Sequence, residues 1–234
     1  MRSANRLLAL ATVLATATTP AIGQTIIGTS GGQNCYPFNC YLNWEYQQVY
    51  VSSAFSGSLL INSINFFDLT PTAQFSGRTF RISFSETNAT PTTLSYDYAS
   101  NIGANSTLFF AGILSGPADA EIYGAPYFYD PLNGNLLMDV QLTDIGNPTY
   151  DFMQAGCDNN TGRVYNNDFN LIPGLNQPYP ALPDHGCYGG GYGLVTEFNR
   201  AGTVTPEPAT LLLLGTGLAG VMGAALRRRQ RHDA

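Results

Sequence analysis

The sequence predicts an all-β protein, an antiparallel β-sandwich of jelly-roll type, set between two apolar terminal segments. Three observations predict it. Through most of residues 24–204, apolar and polar residues alternate with period two. That is the pattern of a strand with one face in a core and the other in water. Clusters of Gly, Pro, Asn, Ser and Thr break the runs at short intervals, as antiparallel hairpins require. No long window of this body repeats its apolar positions at the helical period of about 3.6 residues.

The elements follow in order. Arg2 and Arg6 precede a short apolar stretch, residues 7–17, and Ala21-Ile22-Gly23 supplies small residues before a cleavage point. Residues 1–23 therefore read as a secretory signal peptide, removed by signal peptidase after Gly23. Val49, Val51 and Phe55 share one face of a first strand, which turns at Ser56-Gly57 into the apolar run 59–67. Turns are expected at Thr70-Pro71 and Ser76-Gly77. Phe80, Ile82 and Phe84 alternate with Arg81, Ser83 and Ser85, and Leu94, Tyr96 and Tyr98 alternate with Ser95 and Asp97. Leu136, Met138, Val140 and Leu142 are expected in the core, with Leu137, Asp139 and Gln141 facing out. Gly116-Pro117, Asn133-Gly134 and Gly146-Asn147-Pro148 punctuate these runs, and residues 193–198 form a closing strand. Eight or more short strands so spaced suit a two-sheet β fold.

Between residues 156 and 193 the alternation fails. Asn159-Asn160, Asn166-Asn167, Pro173, Pro178, Pro180, Pro183 and Gly189-Gly190-Gly191 predict a long irregular loop, bracketed by Cys157 and Cys187. A loop of that length in a compact domain is functional or tied down. Here it is the expected ligand surface, because loops on a rigid scaffold carry function. Its tyrosines Tyr165, Tyr179, Tyr188 and Tyr192 present an apolar face and a polar tip, suited to stacking on sugar rings. The plainer reading is that they anchor the loop.

Composition narrows the function. Residues 24–204 contain no lysine and four arginines against fourteen Asp and Glu, a formal charge of −10. A body so acidic does not neutralise phosphates, so nucleic acid is excluded as a partner. The four cysteines, Cys35, Cys40, Cys157 and Cys187, all lie in the exported part, where disulfides are expected. Three pairings are possible; locality favours Cys35–Cys40 with Cys157–Cys187. Zinc is disfavoured because only one close cysteine pair exists.

No catalytic set emerges. Gly28-Thr29-Ser30-Gly31-Gly32 resembles a serine-nucleophile string, but no His or Asp precedes it in the mature chain. His185 stands alone in a Pro/Gly loop. Glu45, Glu86, Glu121 and Glu197 are carboxylates of the kind a glycosidase pairs, yet no spacing couples two of them. Asp130, Asn133 and Asn135 offer hard oxygen ligands for calcium, as do Asp158, Asn160 and Asp168. The simpler reading of Asp130-Pro131-Leu132-Asn133-Gly134 is a tight turn. The expectation is a non-enzyme with no cofactor beyond a candidate calcium.

The chain end carries the sharpest pattern. Thr205-Pro206-Glu207-Pro208 precedes an uncharged apolar run, residues 209–226, and then Arg227-Arg228-Arg229-Gln230-Arg231. The apolar run is 18 residues, about 27 Å as a helix, close to a bilayer core of about 30 Å. The arginines after it would stay cytoplasmic. Pro206 and Pro208 keep the box extended and accessible. This string resembles the PEP-CTERM sorting signal of Gram-negative bacteria. The resemblance implies a sorting signal over residues 205–234, with the box at Pro206, Glu207 and Pro208, a membrane helix at 209–226 and a basic tail at 227–234 led by Arg227, Arg228 and Arg229. It implies that exosortase, a membrane-embedded transpeptidase-like enzyme, processes the chain. It further implies an anchored precursor sorted to the cell surface or matrix of organisms that make exopolysaccharide or biofilm. Within the body, Tyr46-Gln47-Gln48-Val49-Tyr50 and Gly134-Asn135-Leu136-Leu137-Met138-Asp139 resemble stretches of such exported proteins, which implies a fold and no chemistry. A secreted carbohydrate-binding module is the alternative expectation, and a glycan hydrolase a lesser one.

Overall fold

The computed structural model describes residues 23–40, 44–144, 149–165 and 191–199. Residues 1–22 of the signal peptide, Tyr188, Cys187, the Pro-Glu-Pro box, the apolar run and the arginine tail lie outside these residues. Among the described residues, no helix is long and apolar enough to cross a membrane.

The chain is all-β, as the period-two pattern predicts. Its strands are β1 (Thr25–Ile27), β2 (Gly32–Asn34), β3 (Glu45–Tyr50), β4 (Leu59–Phe66), β5 (Gln74–Thr87), β6 (Thr107–Pro117), β7 (Ile122–Tyr129), β8 (Asn135–Leu142), β9 (Met153–Asp158), β10 (Thr161–Tyr165), β11 (Gly191–Leu194) and β12 (Thr196–Phe198). One short helix, α1 (Tyr98–Asn101), interrupts them. They form sheets of order β1-β12-β4-β7, β10-β3-β8-β5-β6 and β11-β9-β2. Every strand pairing is antiparallel.

One core joins the larger sheets. Phe80, Ile82 and Phe84 of β5 pack with Ile61, Ile64 and Phe66 of β4. Phe38 is its hub, with ring centroids 4.9 Å from Phe66, 5.5 Å from Phe75 and 5.3 Å from Phe80. Such pairs each contribute about 0.5–1.5 kcal/mol beyond area burial. Polar ties cross the core as well. Tyr50 Oη and Thr196 Oγ1 are 2.8 Å apart. Gln48 acts as a surrogate strand for β11: its Nε2 donates to Leu194 O at 2.9 Å and its Oε1 accepts from Leu194 N at 2.8 Å.

Five local expectations are corrected. Leu94, Tyr96 and Tyr98 form no strand. Asn101 instead folds the segment on itself, with Oδ1 accepting from Ser95 N and Nδ2 donating to Ser95 O, both at 2.8 Å, and α1 follows. Leu94 then packs on Val49, Leu137 and Val164. That lid is why Leu137 and Asp139, expected to face water, are buried. Ser76-Gly77 is no turn but a bulge inside β5, where Gly77 takes φ +70°; glycine supplies that angle without steric cost. β3 ends at Tyr50, before Val51, and residues Ser52–Ala54 make a 3-10 turn instead. Finally, the expected irregular stretch 156–193 contains the end of β9, all of β10 and most of β11. Asp158 Oδ1 accepts from Asn160 N and Thr161 N, both at 2.9 Å, and from Thr161 Oγ1 at 3.0 Å. This turn converts Asn159-Asn160 into a corner between two sheets.

Candidate functional site

Strands β10 and β11 bring together two of the four tyrosines the sequence nominates; Tyr179 and Tyr188 lie outside the described residues. The Arg163 guanidinium lies 5.0 Å from the Tyr165 ring centroid and 4.4 Å from that of Tyr192. Tyr36 stacks on Tyr165 with centroids 4.5 Å apart and planes 23° from parallel. Tyr192 Oη donates to Gln33 O at 2.7 Å. Both rings are partly buried against the core. Each ring therefore has a partner within the fold: Arg163 lies against both, and Tyr36 covers a face of Tyr165. This geometry favours packing and cation–π contact, worth about 0.5–2 kcal/mol each, over an open stacking platform.

The turn nominated for calcium is committed to the backbone. Asp130 Oδ1 accepts from Leu132 N at 3.0 Å. Asn135 Oδ1 accepts from Ser52 N at 2.8 Å, and its Nδ2 donates to Ala89 O at 2.8 Å. Asn133 Nδ2 reaches Glu86 Oε1 at 3.3 Å. Gly134, at φ +139°, completes the reversal. Among the described residues, no three His, Cys, Asp or Glu are grouped to hold a metal.

The cysteines match the local pairing where the structure reaches. Cys35 and Cys40 are bonded. Arg78, buried, donates from Nη1 to Cys40 O at 2.8 Å and so pins that loop to β5. Cys157 is also disulfide-bonded; Cys187, outside the described residues, is the one cysteine not yet placed.

The four candidate glutamates scatter. Glu86 receives Asn105 Nδ2 at 2.9 Å and Asp130 N at 3.1 Å. Glu121 receives Ser63 Oγ, and Tyr123 Oη at 2.5 Å. Glu197 receives Gln24 Nε2 at 2.5 Å and Asn65 Nδ2 at 3.0 Å. Glu45 alone meets a second carboxyl, that of Asp139 on the neighbouring β8, and the two are hydrogen-bonded. Burial, then the adjacent Asp139 charge, pushes the Glu45 carboxyl up to about 7. Burial raises Asp139 too, opposed by donation from Gln47. Gln47 Nε2 reaches Asp139 Oδ1 at 3.0 Å, Gln141 Nε2 reaches Asp139 Oδ2 at 3.1 Å, and Asn101 Nδ2 reaches Gln47 Oε1 at 2.8 Å. The sequence shows Glu45 but not this pair, because the register that sets Glu45 opposite Gln141 and Gln47 opposite Asp139 is non-local.

The chain end supplies what the body does not. Residues 204–229 match the family model of the PEP-CTERM protein-sorting motif. The chain carries a PEP-CTERM sorting motif. The match runs from just before the Pro206-Glu207-Pro208 box through Arg229, so it includes both the box and the first three arginines of the tail. The motif implies export, an anchored precursor and processing by exosortase. No curated protein and no solved structure matches the chain.

Proposed function

We propose that this is a non-catalytic protein of the cell surface or extracellular matrix. It is exported by its signal peptide, held in the inner membrane through residues 209–226, and released from that anchor by exosortase at the Pro206-Glu207-Pro208 box. The observation that carries this reading is the motif match across box, apolar run and arginines. Physics supports each part. The prolines hold the box extended for an enzyme, the uncharged run is of membrane length, and the arginines resist translocation. The body suits life outside the cell, with a closed Cys35–Cys40 bridge and a bonded Cys157, since such bonds persist in oxidising compartments.

The body in this reading is a sandwich whose two layers are the four- and five-stranded sheets. Supporting it, Phe84 of β5 lies 5.6 Å from Tyr127 of β7 and 6.4 Å from Phe198 of β12, ring to ring. Such a scaffold needs no turnover to act in a matrix.

Replacing Pro206 and Glu207 with alanine tests the processing step. The expected outcome is a full-length precursor that accumulates in the inner-membrane fraction, read by immunoblot of fractionated cells. Normal maturation of that variant would refute cleavage directed by the box.

A further inference from the structure

A groove of about 520 Å³ opens beside β2, lined by Ser30, Gly31, Gly32, Gln33, Leu69 and Gln154. We propose that it binds an uncharged glycan, through the side-chain amides of Gln33 and Gln154. The volume lies within the range of about 300–1,000 Å³ typical of ligand sites.

Gln33 and Gln154 are direct partners across the β2–β9 ladder, so their side chains rise from the same face about 5 Å apart. Among the described residues, neither amide side chain has a protein partner. Each presents a carbonyl acceptor and an NH₂ donor. Adjacent hydroxyls on a sugar ring, each both donor and acceptor, match two such amides. The exposed Leu69, 44% accessible, gives an apolar patch for the C–H face of the ring. Gly31, where a Cβ would meet nothing within 4 Å, lets a ligand approach the backbone.

The backbone under the amides is fixed. Gln154 N donates to Phe67 O at 2.7 Å, and Val195 N donates to Gln154 O at 3.0 Å. Gly31 N and Leu69 N also bond to the β9 segment, at 3.2 and 3.1 Å. Tyr192 holds Gln33 O. A site prepared in this way loses little freedom on binding.

Charge selects the class of glycan. Among the described residues, no lining residue is charged. Next to Leu69, Asp68 sits near Asp119 and Asp151, and Asp158 receives Thr29 Oγ1 at 3.1 Å beyond the glycine loop. Acids at both ends repel uronates, phosphates and sulfates. A peptide strand suits the groove less well, because β2 offers three residues and its Gln33 carbonyl already accepts from Tyr192.

The experiment titrates the full chain, in a detergent without a sugar headgroup, calorimetrically. The ligands are neutral gluco-, galacto- and manno-oligosaccharides and an oligogalacturonate of equal length. At least one neutral series should bind. Gln33→Ala with Gln154→Ala should weaken it at least about tenfold, Leu69→Ala should weaken it too, and the urea midpoint of each variant should be unchanged. The uronate should bind at least about tenfold more weakly. Absence of neutral binding, equal binding of the uronate, or full affinity in the double glutamine variant overturns the proposal. So does loss of binding on Tyr188→Ala with the glutamines dispensable. None of these outcomes depends on processing of the sorting motif.

Discussion

At the scale of single residues, the Glu45–Asp139 pair makes the stability of the body depend on pH. Two carboxyls in hydrogen-bond contact require a proton between them, because like charges that close repel. Folding raises Glu45 from an ordinary value of 4.5 to about 7, so the folded protein binds this proton more tightly than the unfolded chain. The contribution is therefore full below about 4.5 and is lost as pH rises through about 7;. Asp68, raised to about 6 by burial, Asp119 and Asp151, acts in the same direction. Arg81 lies one strand further on, opposite Gln141 on β5. Glu45 is only half-buried, so solvent screening leaves an effect on the order of 1 kcal/mol. Urea unfolding at pH 5 and pH 8 should show the wild type less stable at the higher pH, with Glu45→Gln removing most of the difference. An unchanged slope in that variant would place the titrating group elsewhere.

At the scale of elements, the predictions separate by what sets each element. β5 and β8 were legible from Phe80-Ile82-Phe84 and Leu136-Met138-Val140, since strands that line a core carry an apolar residue at every second position; the cover that also buries Leu137 and Asp139 on β8 was not. Residues 94–98 alternate too, yet Asn101 bonds to Ser95 override them. The strands within 156–193 were hidden because their glycines serve close approach, which in sequence looks the same as turn propensity. Gly191 shows this. A Cβ there would stand 1.8 Å from Thr161 O on β10, a backbone atom that cannot step aside. Likewise the meeting of Tyr165 and Tyr192 over Arg163 was unreadable, because it depends on β10 lying beside β11. Gly191→Ala should cost at least about 3 kcal/mol, read from the urea midpoint. A loss under about 0.5 kcal/mol would mean the two strands do not touch there.

At the scale of the whole molecule, we predict that the address and the body are separable. The main core cluster draws its side chains from residues 27–198, and the sorting motif begins at residue 204. Among the described residues, every member of that core lies before the motif. A chain stopped after Val204 should therefore be exported, form its disulfides and unfold at the same urea concentration as the complete chain, while losing its membrane association. Fractionation reads the second outcome and denaturant unfolding the first. If the shortened chain stays in the membrane, the N-terminal apolar stretch is an anchor and signal peptidase does not remove it. If it fails to fold, the tail contributes to the core and the separation is wrong. Release with an unchanged midpoint leaves the motif one role, which is to decide where an independently stable all-β body is delivered.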